Sequence, residues 1–284
     1  MTRINPLKLK TLVVTLAAVL AAPAFASIAG GTTGNGELFL NVVELDKASY
    51  TFDTGIRMND FFVSGQMAST NLSFNIAADP LYLTFLSKVS NAVNLQWSVV
   101  AIDSTGNNNP GFQRLFTTAN VNDVAMVSTM TNLNLTSALS QGNRFFDSIN
   151  AVSFGASGQS THSTTSQIEY ARNGSSYSLK SDAVGVNAFY GRSGALTPNY
   201  NTQAPFVATN AVGTASSFFY LTRSGPGGVD TVLVDPFNSG NTPISFNFDG
   251  QSLTAAPVPE PESYALLLSG LAALALLARR RRNA

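Results

Sequence analysis

Apolar and polar residues alternate along much of the chain, which is the pattern of strands with a buried face. The most regular run is 94–102, in which Leu95, Trp97, Val99 and Ala101 share one face, so we predict that Trp97 is buried. Many such short runs, separated by Gly, Asn and Pro, predict an antiparallel β-sandwich or jelly-roll. The further predicted strands cover residues 38–43, 51–52, 71–76, 112–117, 167–171, 186–190, 217–222 and 231–234.

Turn residues connect these runs. Asp249 and Gly250 join residues 244–248 to residues 251–254, and an Asp-Gly pair favours the tight turn of a hairpin. The polar stretch 153–166 is rich in Ser, Thr and Gly and is interpreted as a long loop within one domain.

Cap residues predict two short helices within this all-β domain. Asp79 followed by Pro80 supplies an N-cap and a proline in the first turn. Asn132 indicates the start of a second helix, and Gly142 is predicted to end it.

The N-terminal segment, residues 1–26, has the three parts of a secretory signal. Three basic side chains come first, and an apolar run, residues 11–22, follows; it is shorter than the about 20 residues of a membrane span. Ala24 and Ala26 then place small side chains at alternate positions, as a signal peptidase requires. We predict a signal helix that is cut between Ala26 and Ser27; an uncleaved N-terminal anchor is the alternative.

The C-terminal segment, residues 257–284, also has three parts. It opens with a Pro-Glu-Pro motif, Pro259, Glu260 and Pro261, and continues with the apolar run 263–278. As a helix this run is about 24 Å long, and arginine snorkelling compensates for its short length. We predict a transmembrane helix with the body, residues 27–256, outside the cell membrane and the C-terminus in the cytoplasm. The predicted membrane stop consists of Arg279, Arg280, Arg281 and Arg282.

This tripartite arrangement resembles the PEP-CTERM sorting signal of Gram-negative bacteria. The resemblance implies that an exosortase, an integral membrane enzyme, recognises the tail, removes it and releases or re-anchors the body. It also implies an association with exopolysaccharide and biofilm matrix. An ordinary tail anchor on a stiff stalk is the alternative.

Charge distinguishes the body from its two terminal segments. The chain has 16 basic and 16 acidic side chains, but residues 27–256 carry nine basic and 14 acidic ones, a net charge of −5. An anionic body predicts no nucleic-acid partner. The absence of Cys excludes disulfides, thiolate metal sites and cysteine nucleophiles.

Candidate chemistry in the body is sparse, and we predict no catalytic, cofactor-binding or metal-ligating residue. His162 is the single histidine and lies in the polar stretch 153–166. Glu44 and Asp46 could form a carboxylate pair for glycoside hydrolysis, but we interpret them as solvated charges at a strand end. Residues 103–109 loosely resemble a calcium loop and are interpreted as a turn.

Hydroxyl and amide side chains give the body a surface able to hydrogen-bond with polar polymers such as polysaccharide. Our first hypothesis is a non-enzymatic, secreted protein of the cell envelope that contributes to the extracellular polymer layer. The alternative is a secreted carbohydrate-binding module or glycoside-active enzyme with the same sorting tail. Tyrosines predicted at the surface, where they could stack on sugars, are Tyr50, Tyr170, Tyr177, Tyr190 and Tyr200.

Overall fold

The structure is a computed structural model, and it describes the greater part of the body. The described residues are 28, 30–44, 47–64, 72–119, 127–150, 159–160, 174–179, 210–239 and 242–257. The signal segment, the sorting segment from Val258 onward and the predicted strands 167–171 and 186–190 lie outside them. None of the helices in these ranges is long and apolar enough to cross a membrane.

Strands dominate the described residues, which confirms the all-β class. They form one antiparallel sheet in the order β3-β13-β12-β9-β5-β4-β1-β2-β7-β6, with β8, β10 and β11 added on β4, β9 and β12. The strands are β1 Glu37–Glu44, β2 Ala48–Arg57, β3 Leu72–Asn75, β4 Leu95–Asp103, β5 Arg114–Ala119, β6 Gln159–Ser160, β7 Ser175–Leu179, β8 Asn210–Ala211, β9 Ser216–Thr222, β10 Leu233–Pro236, β11 Asn238–Ser239, β12 Thr242–Phe248 and β13 Ser252–Pro257.

The described helices are α1 Met58–Ser64, α2 Pro80–Leu86 and α3 Asn132–Ile149. Short 3-10 helices cover Gly31–Thr33, Ile76–Ala78 and Ala92–Asn94. The prediction for α2 is confirmed, because the Asp79 carboxylate accepts the Leu81 N–H at 2.7 Å and Pro80 is the first helical residue.

The sheet is curled around an aromatic core. Phe52 of β2 and Phe74 of β3 lie far apart in the strand order, yet their ring centroids are 5.9 Å apart. Helix α2 packs where these two parts of the sheet approach each other, with Tyr82 5.0 Å and Phe85 5.9 Å from the Tyr50 ring. The two layers expected for a sandwich are therefore opposite walls of one continuous sheet.

Helix α3 covers the outer face of the sheet with a second apolar core. Leu135, Leu139 and Phe146 lie on its buried face, and the Phe146 ring meets Phe39 edge-on at 4.9 Å. Gly142 belongs to the same buried stripe. The predicted helix end at Gly142 is therefore wrong, since tertiary packing on this face outweighs the low helix propensity of glycine.

The central strands are apolar on both faces because each face packs against one of the two cores. Trp97 is fully buried as predicted, and its indole N–H donates to the Ala211 carbonyl at 3.0 Å. The surface prediction is wrong for Tyr50 and Tyr177, which lie in the aromatic core; Tyr170, Tyr190 and Tyr200 lie outside the described residues.

The predicted hairpin is confirmed as β12 and β13. The Asp249 N–H donates to the Ser252 carbonyl at 3.2 Å, and Gly250 adopts a φ of +90°, which glycine tolerates without steric cost. The loop predicted over residues 153–166 needs a correction, because Gln159–Ser160 pairs with β7 inside it.

Candidate functional site

The predicted processing residues lie outside the described residues. These are the cleavage residues Ala24, Ala26 and Ser27, the motif residues Pro259, Glu260 and Pro261, and Arg279, Arg280, Arg281 and Arg282. The structure does describe where the body meets the C-terminal segment.

Strand β13 ends at Pro257, at the boundary of the sorting segment. Pro257 pairs with Ile244 of β12, and Ala255 pairs with Leu72 of β3. The strand is held between two neighbours along most of its length. The chain therefore leaves the sheet only two residues before Pro259.

Two carboxylates considered in the sequence have structural partners. Glu44 is buried and accepts the Ser90 N–H at 2.5 Å, so its interpretation as a solvated charge is wrong. Asp103 accepts the Thr105 N–H at 2.9 Å and pairs with Arg114 Nε at 2.9 Å, in keeping with a turn. His162 and Asp46 lie outside the described residues.

A surface cleft of about 270 Å³ runs along α3; we call it the α3 cleft. Its lining is largely hydroxyl, amide and carboxylate, and its members come from loops and a helix that are distant in the chain. The lining residues are Ser104, Gln113, Thr136, Leu139, Ser140, Asn143 and Asp147.

Gln113 lines this cleft and connects Arg223 with Thr136. Its Oε1 accepts from Arg223 Nη1 at 3.1 Å and from the Thr136 hydroxyl at 3.0 Å. It is also the single non-glycine residue with a positive φ, +55°, among the described residues. Such a backbone conformation costs energy and persists where surrounding contacts enforce it, as the bonds to Arg223 and Thr136 do here.

Arg223 is a buried cation that contacts two residues of the cleft lining, Gln113 and Thr136. The guanidinium donates to Thr136 Oγ1 at 2.9 Å and to the carbonyls of Gly225 and Pro226, each at 3.2 Å. Within the described part of the chain no carboxylate forms an ion pair with it. Its positive charge is therefore met by neutral dipoles rather than by an anion.

Asn143 lines the cleft, and its side-chain acceptor has no partner in the described part of the chain. Its amide Nδ2 donates to the Ser104 hydroxyl at 2.8 Å, while its buried Oδ1 has no hydrogen-bond partner among the described residues. This oxygen lies against Gly31 and has no exposed surface, so the cleft does not present it to a ligand.

A second polar cluster is closed to solvent. Asp53 is fully buried and accepts the Gly55 N–H at 2.8 Å. Burial, and then the neighbouring Glu37 carboxylate, raise the pKa of Asp53 well above its ordinary value. A substrate cannot reach this pair of carboxyl groups in the structure. Among the described residues, no group of three or more metal-ligating acids or histidines forms.

Sequence reasoning missed Arg223 and Gln113. Their partner Thr136 is 23 positions from Gln113 and 87 from Arg223, so no local sequence motif indicates the cluster. The signals that identify it, a positive φ and a buried cation, are structural.

Comparison with known proteins bears on the C-terminal segment. A family model of the PEP-CTERM protein-sorting motif matches residues 257–282. No curated protein and no solved structure matches the chain. The resemblance seen in the sequence is confirmed: the chain contains a PEP-CTERM sorting domain at residues 257–282, a motif that indicates exosortase-dependent export to the cell surface.

Proposed function

We propose that the chain is the precursor of a non-enzymatic structural protein of the bacterial cell surface or exopolysaccharide matrix. Signal peptidase cuts after Ala26, the C-terminal helix anchors the precursor in the inner membrane with its arginines in the cytoplasm, and an exosortase then removes the tail. The observation that carries this proposal is the match of the sorting motif to residues 257–282.

The junction between sheet and tail supports this order of events. Pro257 is both the last residue of β13 and the first residue of the motif match. A cut at or beyond Pro259 therefore removes no described strand. The body keeps the pairings of β13 with β3 and β12 after the tail is lost.

The chemistry of the motif suits a processing enzyme. Prolines at 259 and 261 fix φ, lack backbone N–H groups and disfavour helix at the residues before them. An extended segment without internal hydrogen bonds can enter an enzyme cleft without prior unfolding.

The test is a triple substitution of the motif, Pro259→Ala, Glu260→Ala and Pro261→Ala, expressed in the native host. We expect the membrane-bound precursor to accumulate, as measured by immunoblotting of membrane and extracellular fractions. Glu262→Ala is the matched control, since it removes a nearby acid and leaves the motif intact. Mass spectrometry of the wild-type protein should give a terminus at Ser27 and another near Pro259. A mature protein that retained Arg279 to Arg282 would overturn the proposal.

A further inference from the structure

We infer that docking of the N-terminal strap of the body and cutting by signal peptidase exclude each other, so that the cut comes first and docking then closes the cleavage site. The strap consists of residues 28 and 30–34. The inference rests on the proposed function, since it concerns the cut after Ala26, and it adds a folding step that limits when this cut can be made.

The strap lies between α3 and β4, in close contact with both. A Cβ added at Gly30 would lie only 3.3 Å from Phe146 Cδ2. A Cβ added at Gly31 would lie 2.8 Å from Asn143 Oδ1 and 3.0 Å from Ile102 Cγ1 of β4. Because Phe146 and Asn143 are about one helical turn apart, the strap follows the axis of the helix. Two successive glycines give the room that this close approach requires.

Ile28 is the buried anchor of the strap. Its side chain is 1 % exposed and belongs to the second apolar core. Its N–H donates to Asn150 Oδ1, and its carbonyl accepts from Asn150 Nδ2, both at 3.0 Å. Asn150 follows the last residue of α3, and its own N–H donates to the Phe146 carbonyl at 2.9 Å. One side chain therefore pairs with both backbone groups of Ile28 and holds them at the end of the helix.

The proposed cleavage bond lies next to this fixed point. Ala26 and Ser27 immediately precede Ile28, so the Ala26 Cα is at most about 7 Å from the Ile28 Cα. A peptidase binds an extended chain on both sides of the bond that it cuts, and backbone that is buried and hydrogen-bonded resists proteolysis. With Ile28 docked, only one residue beyond the bond is free to enter the enzyme. The precursor is therefore a substrate only while the strap is undocked.

The sequence separation of the two partners keeps the cleavage site open during export. Ile28 and Asn150 are 122 positions apart, so their contact forms only after α3 has crossed the membrane. At a synthesis rate of roughly 5–20 residues per second, this delay is about 6–24 s. Docking then slows the cut, because the rate of cutting follows the fraction of molecules in which the strap is open. After the cut, the same two hydrogen bonds hold the new N-terminal segment on the body.

Cutting of the purified precursor before and after refolding tests the inference. The full chain is unfolded in urea and diluted into detergent with purified signal peptidase, either at once or after refolding, and mass spectrometry follows the Ser27 terminus. We expect the refolded wild type to be cut at least about tenfold more slowly than the freshly diluted chain, because cutting awaits opening of the strap. Refolded Asn150→Ala should be cut about fivefold faster than refolded wild type, the scale of one hydrogen bond. Asn94→Ala, at an exposed position just before β4, is the matched control and should be cut at the wild-type rate.

A spacer separates access to the bond from folding of the body. Six Gly and Ser residues inserted after Ser27 move the bond up to about 20 Å farther from Ile28 and leave the strap contacts unchanged. This precursor should be cut at the same rate before and after refolding. Equal rates for the fresh and the refolded wild type, a spacer precursor that stays slow, or no acceleration by Asn150→Ala would each overturn the inference. A freshly diluted precursor that never yields a Ser27 terminus would instead refute the proposed cut after Ala26.

Discussion

Asp79 joins α2 to the sheet through two hydrogen bonds, and its removal should be costly. One carboxylate oxygen caps the helix by accepting the Leu81 N–H at 2.7 Å, and the other accepts the Tyr50 hydroxyl at 2.7 Å. Burial, and then the Asp79 carboxylate, raise the pKa of Tyr50 well above its ordinary value, so the hydroxyl remains a donor. Asp79→Ala therefore removes a cap and an acceptor together.

The expected loss of stability in Asp79→Ala follows from these two contacts. Loss of the cap costs about 1 kcal/mol, and a buried hydroxyl left without an acceptor costs about 1–3 kcal/mol. We expect Asp79→Ala to lower the free energy of unfolding by about 2–4 kcal/mol. Asp79→Asn should cost less, because its single oxygen preserves the cap and its amide can donate to the Tyr50 oxygen.

Urea unfolding of the mature protein, followed by fluorescence, measures the effect. Trp97 is the only tryptophan and is fully buried, so its emission reports on the core. In a Tyr50→Phe background the Tyr50 hydroxyl is absent before Asp79 is changed, so Asp79→Ala should cost only the cap, about 1 kcal/mol. If Asp79→Ala costs the same in both backgrounds, the reasoning that couples Tyr50 to the cap is refuted.

Two further predictions concern the cores. The raised pKa of Asp53 means that its contribution to stability is complete below the ordinary carboxyl pKa of about 3.9 and is lost as pH rises through the raised value. Asp53→Asn should therefore raise the urea midpoint at pH 8 more than at pH 4, and a pH-independent difference would contradict the assignment. Phe61 lies 5.2 Å and 5.1 Å, ring to ring, from two other phenylalanines, so Phe61→Ala should cost about 3–5 kcal/mol. The half-exposed Leu83→Ala should cost well under half of that, and equal midpoints for the two variants would contradict the packing argument.

Local signals in the sequence predicted local structure well. Asp79 and Pro80 identified the start of α2, Asp249 and Gly250 identified the β12–β13 hairpin, and alternation identified the buried face around Trp97. Each of these features depends on residues only a few positions apart. Helix α1 was not predicted because a segment of seven residues, in which Met58 and Phe61 are buried, carries too little periodicity to distinguish a helix from a strand.

Features that depend on distant residues could not be predicted. Tyr50 was expected at the surface because its hydroxyl tolerates water, but the fold supplies a partner for that hydroxyl in Asp79, 29 positions away. Glu44 is likewise buried because the Ser90 N–H, 46 positions away, satisfies its carboxylate. The α3 cleft combines residues from three parts of the chain, and only the folded sheet brings them together.

The place of β13 in the sheet also determines when the body can finish folding. Strand β3, near residue 72, stays without its neighbour until residues 252–255 have left the translocation channel, because those residues form its pairing partner. Sequence separations of this size slow folding, since the intervening chain must be ordered before the contact forms. In the proposed export route the sorting segment follows β13 directly into the membrane. The sheet therefore closes while the body is still anchored by the sorting segment. The anchor holds the body at the membrane while its last strand pairs, before release.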